Sequence, residues 1–216
     1  MEQYTLDEIR EIKKSLRLAM NGVVSTLQRR QGLDYKINFG VEIPRLKGIA
    51  EAHKESEELA AALWQENIRE CKILAIYLMP EHSFVEVADR WVGEVKFTEI
   101  ADQLAMHRLC RLPNAWDKAL EWIATSDAMY RYCGYLTISH LVRRGVAASD
   151  EQERAFFKSI INIESVEKQS PTTGCALNAI MNYLDSSPLA TERLKKAITA
   201  NCTTPASLAA LLENYG

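Results

Sequence analysis

Residues 59–78 contain Leu59-Ala60-Ala61-Ala62-Leu63-Trp64, a short polar turn, and then Cys71-Lys72-Ile73-Leu74-Ala75-Ile76-Tyr77-Leu78. Both apolar segments repeat at helical spacing, and neither alternates as a half-buried strand would. The same unit returns further on as Ala119-Leu120-Glu121-Trp122-Ile123, then Ser126-Asp127, then Tyr132-Cys133-Gly134-Tyr135-Leu136. In each case a tryptophan ends one helix and a second helix of small and apolar residues follows. The unit of this chain is therefore a helix pair.

Towards the N-terminus, Thr5 with Glu8 three residues on reads as a capping box. The stripe Leu6, Ile9, Ile12, Leu16, Met20, Val23 and Leu27 predicts one long helix running to about Arg30. A loop from Gly32 to Glu42 follows, and Pro44 stands where a first-turn proline opens a helix. Towards the C-terminus, pairs are expected at Ser149–Glu164 with Pro171–Leu184, and at Thr191–Ala200 with Pro205–Asn214. Ser149 with Gln152 forms another capping box, and Thr204 before Pro205 marks another helix start. A helix-turn-helix unit repeating every ~35–45 residues marks a HEAT-like or TPR-like array, in which each pair covers its neighbour's apolar face. The TPR consensus is not visible. The expected fold is thus all-α: a HEAT-like repeat solenoid of antiparallel helix pairs, an α-α superhelix curved around a concave groove. Without a linker rich in Pro, Gly or Ser, residues 1–216 are expected to form a single domain. A globular helical bundle without regular stacking is the alternative.

With 216 residues, 47% of them hydrophobic, the chain can bury a continuous core. No stretch approaches the ~18 consecutive apolar residues of a membrane span, and the first ten residues lack a basic-then-apolar signal, so a cytoplasmic protein without membrane partners is expected. Cys71, Cys110, Cys133, Cys175 and Cys202 are odd in number and widely spaced, with no C-x-x-C pair, and read as small core residues. No metal cluster, phosphate-binding glycine loop or Ser-His-Asp order is recognisable, so no metal is expected, nor a hydrolase of another class or a nucleotide enzyme. A formal net charge of −3 excludes coating nucleic acid by bulk charge. The middle is the most basic part: from Gln103 to Ala148, Arg108, Arg111, Lys118, Arg131, Arg143 and Arg144 outnumber Asp117, Glu121 and Asp127, and His107 and His140 lie there too. This is either a local phosphate-binding surface or an ordinary solvated helix face.

The segment Asn38-Phe39-Gly40-Val41-Glu42-Ile43-Pro44-Arg45-Leu46-Lys47-Gly48-Ile49-Ala50 resembles the "YGV-x-x-P-x-L-R-x-I-A" opening of the bacterial DNA-alkylation-repair family, the HEAT-like alkylpurine DNA glycosylases. Leu59-Ala60 to Leu63-Trp64, with Arg69-Glu70 and Leu74-Ala75, resembles that family's "LA-x-x-LW … RE-x-x-x-LA" helix pair. The resemblance implies a DNA repair protein that holds duplex DNA, alkylated or distorted, on its concave surface. It also implies hydrolysis of the N-glycosidic bond of N3- or N7-alkylated purines without flipping the base, a chemistry that needs no cofactor. Such bases already carry positive charge, so a carboxylate that stabilises the oxocarbenium-like sugar and positions water supplies much of the chemistry.

Carried over residue by residue, the family's W-x-x-x-D stretch falls on Thr98-Glu99-Ile100-Ala101-Asp102. Asp102 takes the catalytic position. Thr98 stands where the family has tryptophan, which removes a ring expected against the deoxyribose. The W-x-R-R segment aligns with Met129-Tyr130-Arg131-Tyr132, leaving Arg131 either to clamp a phosphate or to pair with a neighbouring acid. A further family tryptophan aligns near Ala179. Arg108, Arg111, Arg143 and Arg144 are the other candidate phosphate contacts, and Thr98 is counted with the DNA-facing residues. Trp64 and Trp122 read as core anchors, whereas Trp91 and Trp116 are open to a groove role. Three functions follow, each expected of a monomer: a 3-methyladenine/7-methylguanine glycosylase acting through Asp102, a non-catalytic binder of DNA structures, and a protein-interaction scaffold.

Overall fold

In the computed structural model, which describes residues 3–163, 170–201 and 205–213, the N-terminal apolar stripe does not run as one helix. Helix α1 spans Gln3–Leu18 and α2 spans Gly22–Arg30. The Asn21 side chain between them accepts from the Val23 and Val24 amides, and the Asn21 amide donates to Phe39 O at 2.9 Å. Gly40 sits at φ +69°, and a Cβ there would lie 2.5 Å from Ser25 N, so the loop backbone presses against the start of α2. Ser25 Oγ donates to Asn38 O at 2.7 Å. The chain thus breaks at the Asn21 cap, and a loop some twenty residues downstream docks at the same place, a contact that no local pattern encodes. Met20, Val23 and Leu27 are left in solvent instead of extending the core stripe. The expected capping box at Thr5 is also absent: Thr5 is buried inside α1, and Glu8 contacts His53 Nδ1 at 2.5 Å.

Two compact units divide the chain, Met1–Ala88 and Asp89–Gly216. In the first, Pro44 sits in the opening turn of α3 (Ile43–Glu51), and Ser56 caps α4 (Glu57–Gln65) by accepting from Leu59 N. Helix α5 (Arg69–Leu78) packs on both α3 and α4, and α1 packs on α4. Arg69 and Glu70, 2% and 0% exposed, join the two motif blocks of the sequence. Glu70 accepts from the Phe39 and Val41 amides at 3.1 and 3.2 Å, while Arg69 Nη1 donates to Val41 O at 2.9 Å and to Glu70 Oε1 at 3.0 Å. A buried ion pair is sustained only when its remaining hydrogen-bonding capacity is met, and here the Phe39-Gly40-Val41 backbone meets it.

The division falls inside α6 (Glu81–Glu94). The second unit continues with α7 (Thr98–His107), a 3₁₀ turn (Leu109–Arg111), α8 (Ala115–Ile123), α9 (Ala128–Arg143), α10 (Asp150–Ile161), α11 (Pro171–Ser186), α12 (Pro188–Asn201) and α13 (Ala206–Leu212). Ser149 and Gln152 make the reciprocal capping box that the sequence predicts. Helix α8 packs on α10 and α10 on α12, while α9 packs against α7, α8 and α11. Contacts between α9 and α11 advance together: Thr172 Oγ1 donates to Ala128 O, Cys175 Sγ to Tyr132 O and Asn182 Nδ2 to Ser139 Oγ. These two helices therefore run parallel, as the second members of successive pairs must when one helix-turn-helix stacks on the next. Gly134 makes the α8–α9 crossing possible, since a Cβ there would lie 2.6 Å from Ala119 O.

All four tryptophans are core residues, including Trp91 and Trp116, for which the sequence left a groove role open. Trp116 donates to Val146 O and meets the edge of Phe156; Trp122 donates to Asp89 Oδ1 at 2.8 Å. Cys71, Cys110, Cys133 and Cys175 are free and buried, as expected, and Cys202 lies outside the described residues, as does Thr204. Among the described residues the backbone forms no strand beyond a single bridge between Ile37 and Ile68. No described helix is long and apolar enough to cross a membrane.

Candidate functional site

Asp102 lies in the middle of α7, a helix that packs against α9, which in turn packs against α11. Ile100, Ala101, Leu104 and Ala105 fill the buried face of α7, which places Asp102 at its margin, half-buried. Its Oδ1 accepts from the Tyr132 hydroxyl at 3.4 Å. Burial pushes the Asp102 carboxyl above its ordinary value; the Tyr132 hydrogen bond opposes this, and Glu99, one helical turn before it, adds to it. The same surroundings raise Tyr132, through burial first and then the Asp102 charge, and lift the Cys175 thiol to about 12. The site is a desolvated carboxylate, a phenol held in its neutral form and an inert thiol.

Arg131 is not part of this group. One residue before Tyr132 on α9, it points about 100° away and is 5% exposed. It lines a separate cavity of about 580 Å³ between α8, α9 and α10, together with Lys158, Ser159 and Asn162. Gly134, one turn on from Arg131, fixes this register, because the face carrying both residues is the one pressed onto α8. Asp102 therefore faces the position at which the family's second arginine aligns, and that position holds tyrosine. Sequence reasoning missed Tyr132 and Cys175 as site residues. The small residue at Gly134 was the available signal for which side of α9 meets α8.

The other candidates are dispersed. Thr98 opens α7 and is exposed, leaving that position open to solvent. Arg108 ends α7 and is buried, with Nη1 donating to His107 O at 3.3 Å, whereas Arg111 in the 3₁₀ turn is exposed. Arg143 and Arg144 close α9 and are both exposed. Together with burial they depress the His140 imidazole, burial contributing most. Ala179 is fully buried in α11, so that position lines no surface. Glu99 is half-buried beside Asp102. Among the described residues no group of three His, Cys, Asp or Glu side chains is placed to hold a metal ion.

The family profile described as "DNA alkylation repair enzyme" matches residues 28–167, which include both motif blocks, α7 and α9. The chain belongs to the DNA alkylation repair enzyme family. Its fold is similar to that of a solved structure described as "A new family of proteins related to the HEAT-like repeat DNA glycosylases with affinity for branched DNA structures". The two share 21% sequence identity and a TM-score of 0.69, over 88% of this chain and 82% of the other. The stacked helix pairs are accordingly of the HEAT-like repeat type. No curated protein sequence gives a match.

Proposed function

We propose that this member of the DNA alkylation repair family recognises DNA structure, binding branched DNA in preference to linear duplex, and does not depend on glycosidic hydrolysis. The observation carrying this reading is the hydroxyl of Tyr132 facing Asp102. Excision by the family's chemistry calls for an anionic carboxylate beside a cation that clamps the backbone, with an aromatic ring against the sugar. Here the neighbour of the carboxyl is a phenol, Arg131 faces another cavity, and Thr98 supplies no ring. Binding needs only exposed cations and shape, and Arg111, Arg143 and Arg144 are exposed. The structural relative described by its affinity for branched DNA supports the same reading.

The position of Asp102 favours a second reading. A desolvated carboxylate at the family's catalytic position is the kind of group that acts on N3- or N7-alkylated purines, holding water and stabilising the sugar cation. One experiment separates the two. The purified chain is offered a four-way junction, a linear duplex with the same ends, and a methylated duplex assayed for released 3-methyladenine and 7-methylguanine. Junction preference with no released base is the expected result. Release that vanishes in Asp102→Asn would establish the glycosylase instead, and equal affinity for junction and duplex would overturn the primary reading.

A further inference from the structure

The corner between α1 and α2 combines two properties that seldom occur together on a soluble surface. Of eleven large hydrophobic side chains exposed among the described residues, four fall in Leu18–Leu27: Leu18 at 81%, Met20 at 61%, Val23 at 81% and Leu27 at 54%. Helix α2 buries no residue at all. The enclosing segment from Ile12 to Leu33 holds Lys13, Lys14, Arg17, Arg29 and Arg30 and no acidic residue, in a chain of net charge −3. Lys13 is engaged by Glu66 and Lys14 lies 3.6 Å from Glu11, whereas Arg17 and Arg30 are exposed and meet no carboxylate among the described residues. Arginines in the last turns of α1 and α2 favour the helix dipoles, which explains their positions but not the bare apolar side chains between them.

The break at Asn21 creates this surface, since a continuous helix would have carried Met20, Val23 and Leu27 along the buried stripe. The docked Asn38-Phe39-Gly40 loop hydrogen-bonds to Asn21 and Ser25 at this corner. Apolar side chains flanked by exposed arginines suit a polyanion that also presents apolar faces. DNA does so where base pairs are unstacked. We propose that the α1–α2 corner is the branch-point contact of this protein: Leu18 and Val23 abut the exposed bases of the junction, while Arg17 and Arg30 hold the converging phosphates. This rests on the DNA-structure reading above and gives that reading its discriminating surface.

The test uses the full chain with Leu18→Ser plus Val23→Ser, and separately Arg17→Gln plus Arg30→Gln. All four positions are exposed, and an unchanged melting curve verifies that each variant folds. The apolar variant is expected to lose about tenfold in junction-over-duplex preference and to keep its duplex affinity. It should also lose the fluorescence rise of 2-aminopurine placed at the branch point. The arginine variant is expected to weaken binding to both DNAs and to lower the salt slope by about 2. Unchanged junction preference in the apolar variant overturns the inference while leaving the binding reading intact. So does a corner that serves another occupant: sedimentation with phosphatidylglycerol vesicles, or a dimer dissolved by Leu18→Ser plus Val23→Ser, with DNA binding unaltered. A wild-type chain showing no junction preference overturns the binding reading itself and the inference with it.

Discussion

The Tyr132 hydroxyl lies 3.4 Å from Asp102 Oδ1, tying α9 to α7. The contact has a definite electrostatic sense. It lowers the Asp102 pKa against burial and the Glu99 charge, both of which raise it. Tyr132→Phe removes only the hydroxyl, so the carboxyl should titrate at still higher pH, as followed by carbon NMR of the labelled aspartate. The loss of stability should be about 1 kcal/mol. A downward shift would show that the hydroxyl is not the donor.

Asp102 also predicts a pH dependence of stability. Its folded value is raised, so between the unfolded value, near 3.8, and the folded one the native state holds the extra proton. Its contribution to stability is therefore full at low pH and declines as pH rises through that window. Asp102→Asn abolishes the decline. Thermal melts should show the variant level with wild type in acid and more stable by on the order of 2 °C at neutral pH. A variant less stable at pH 7 would contradict this.

Glu70 anchors the loop that docks where the N-terminal stripe breaks. Glu70→Ala leaves the Arg69 guanidinium without its buried carboxylate and the Phe39 and Val41 amides without their acceptor. The expected loss is about 3–5 kcal/mol in denaturant unfolding. Hydrogen exchange should collapse first at Phe39 and Val41. A loss within the range of a surface substitution would refute the locking role.

Gly40 tests the same loop from the other side. At φ +69°, with Ser25 N in the path of a Cβ, Gly40→Ala should cost on the order of 2 kcal/mol. Gly32→Ala, at φ +93° with open space around it, should cost less. Equal costs in chemical denaturation would mean that backbone conformation alone, and not the close approach to α2, sets the penalty.

His140 reports on the end of α9. Its folded value is depressed by burial, then by Arg143 and Arg144, so stability is retained above the unfolded value near 6.5 and lost as pH falls through the window beneath it. Arg143→Gln plus Arg144→Gln should raise the imidazole pKa, read by proton NMR, and should lower the salt slope of DNA binding by about 2. If DNA is held there, its binding to the wild type should raise the same pKa, and a titration indifferent to DNA would place the contact elsewhere.

Legible along the chain were the helix pairs, the Pro44 opening, the Ser149–Gln152 box, the core role of the cysteines that the structure describes, and the two motif blocks. Those features are encoded within a turn or two of chain, where periodicity and caps operate. Tertiary structure alone decided the rest. The stripe from Leu6 to Leu27 is interrupted by the local cap at Asn21, and the corner is held by Phe39 and Gly40 docking at Asn21 and Ser25, a contact no helical period can announce. Trp91 and Trp116 are buried because neighbouring helices cover them. Most consequentially, adjacent residues on α9 face different places: Tyr132 meets Asp102 and Arg131 lines a cavity, because Gly134 lets α8 approach one side of the helix. Along a chain these residues differ by one position. On a packed helix they differ by about 100°, and that rotation determines which group the carboxylate meets.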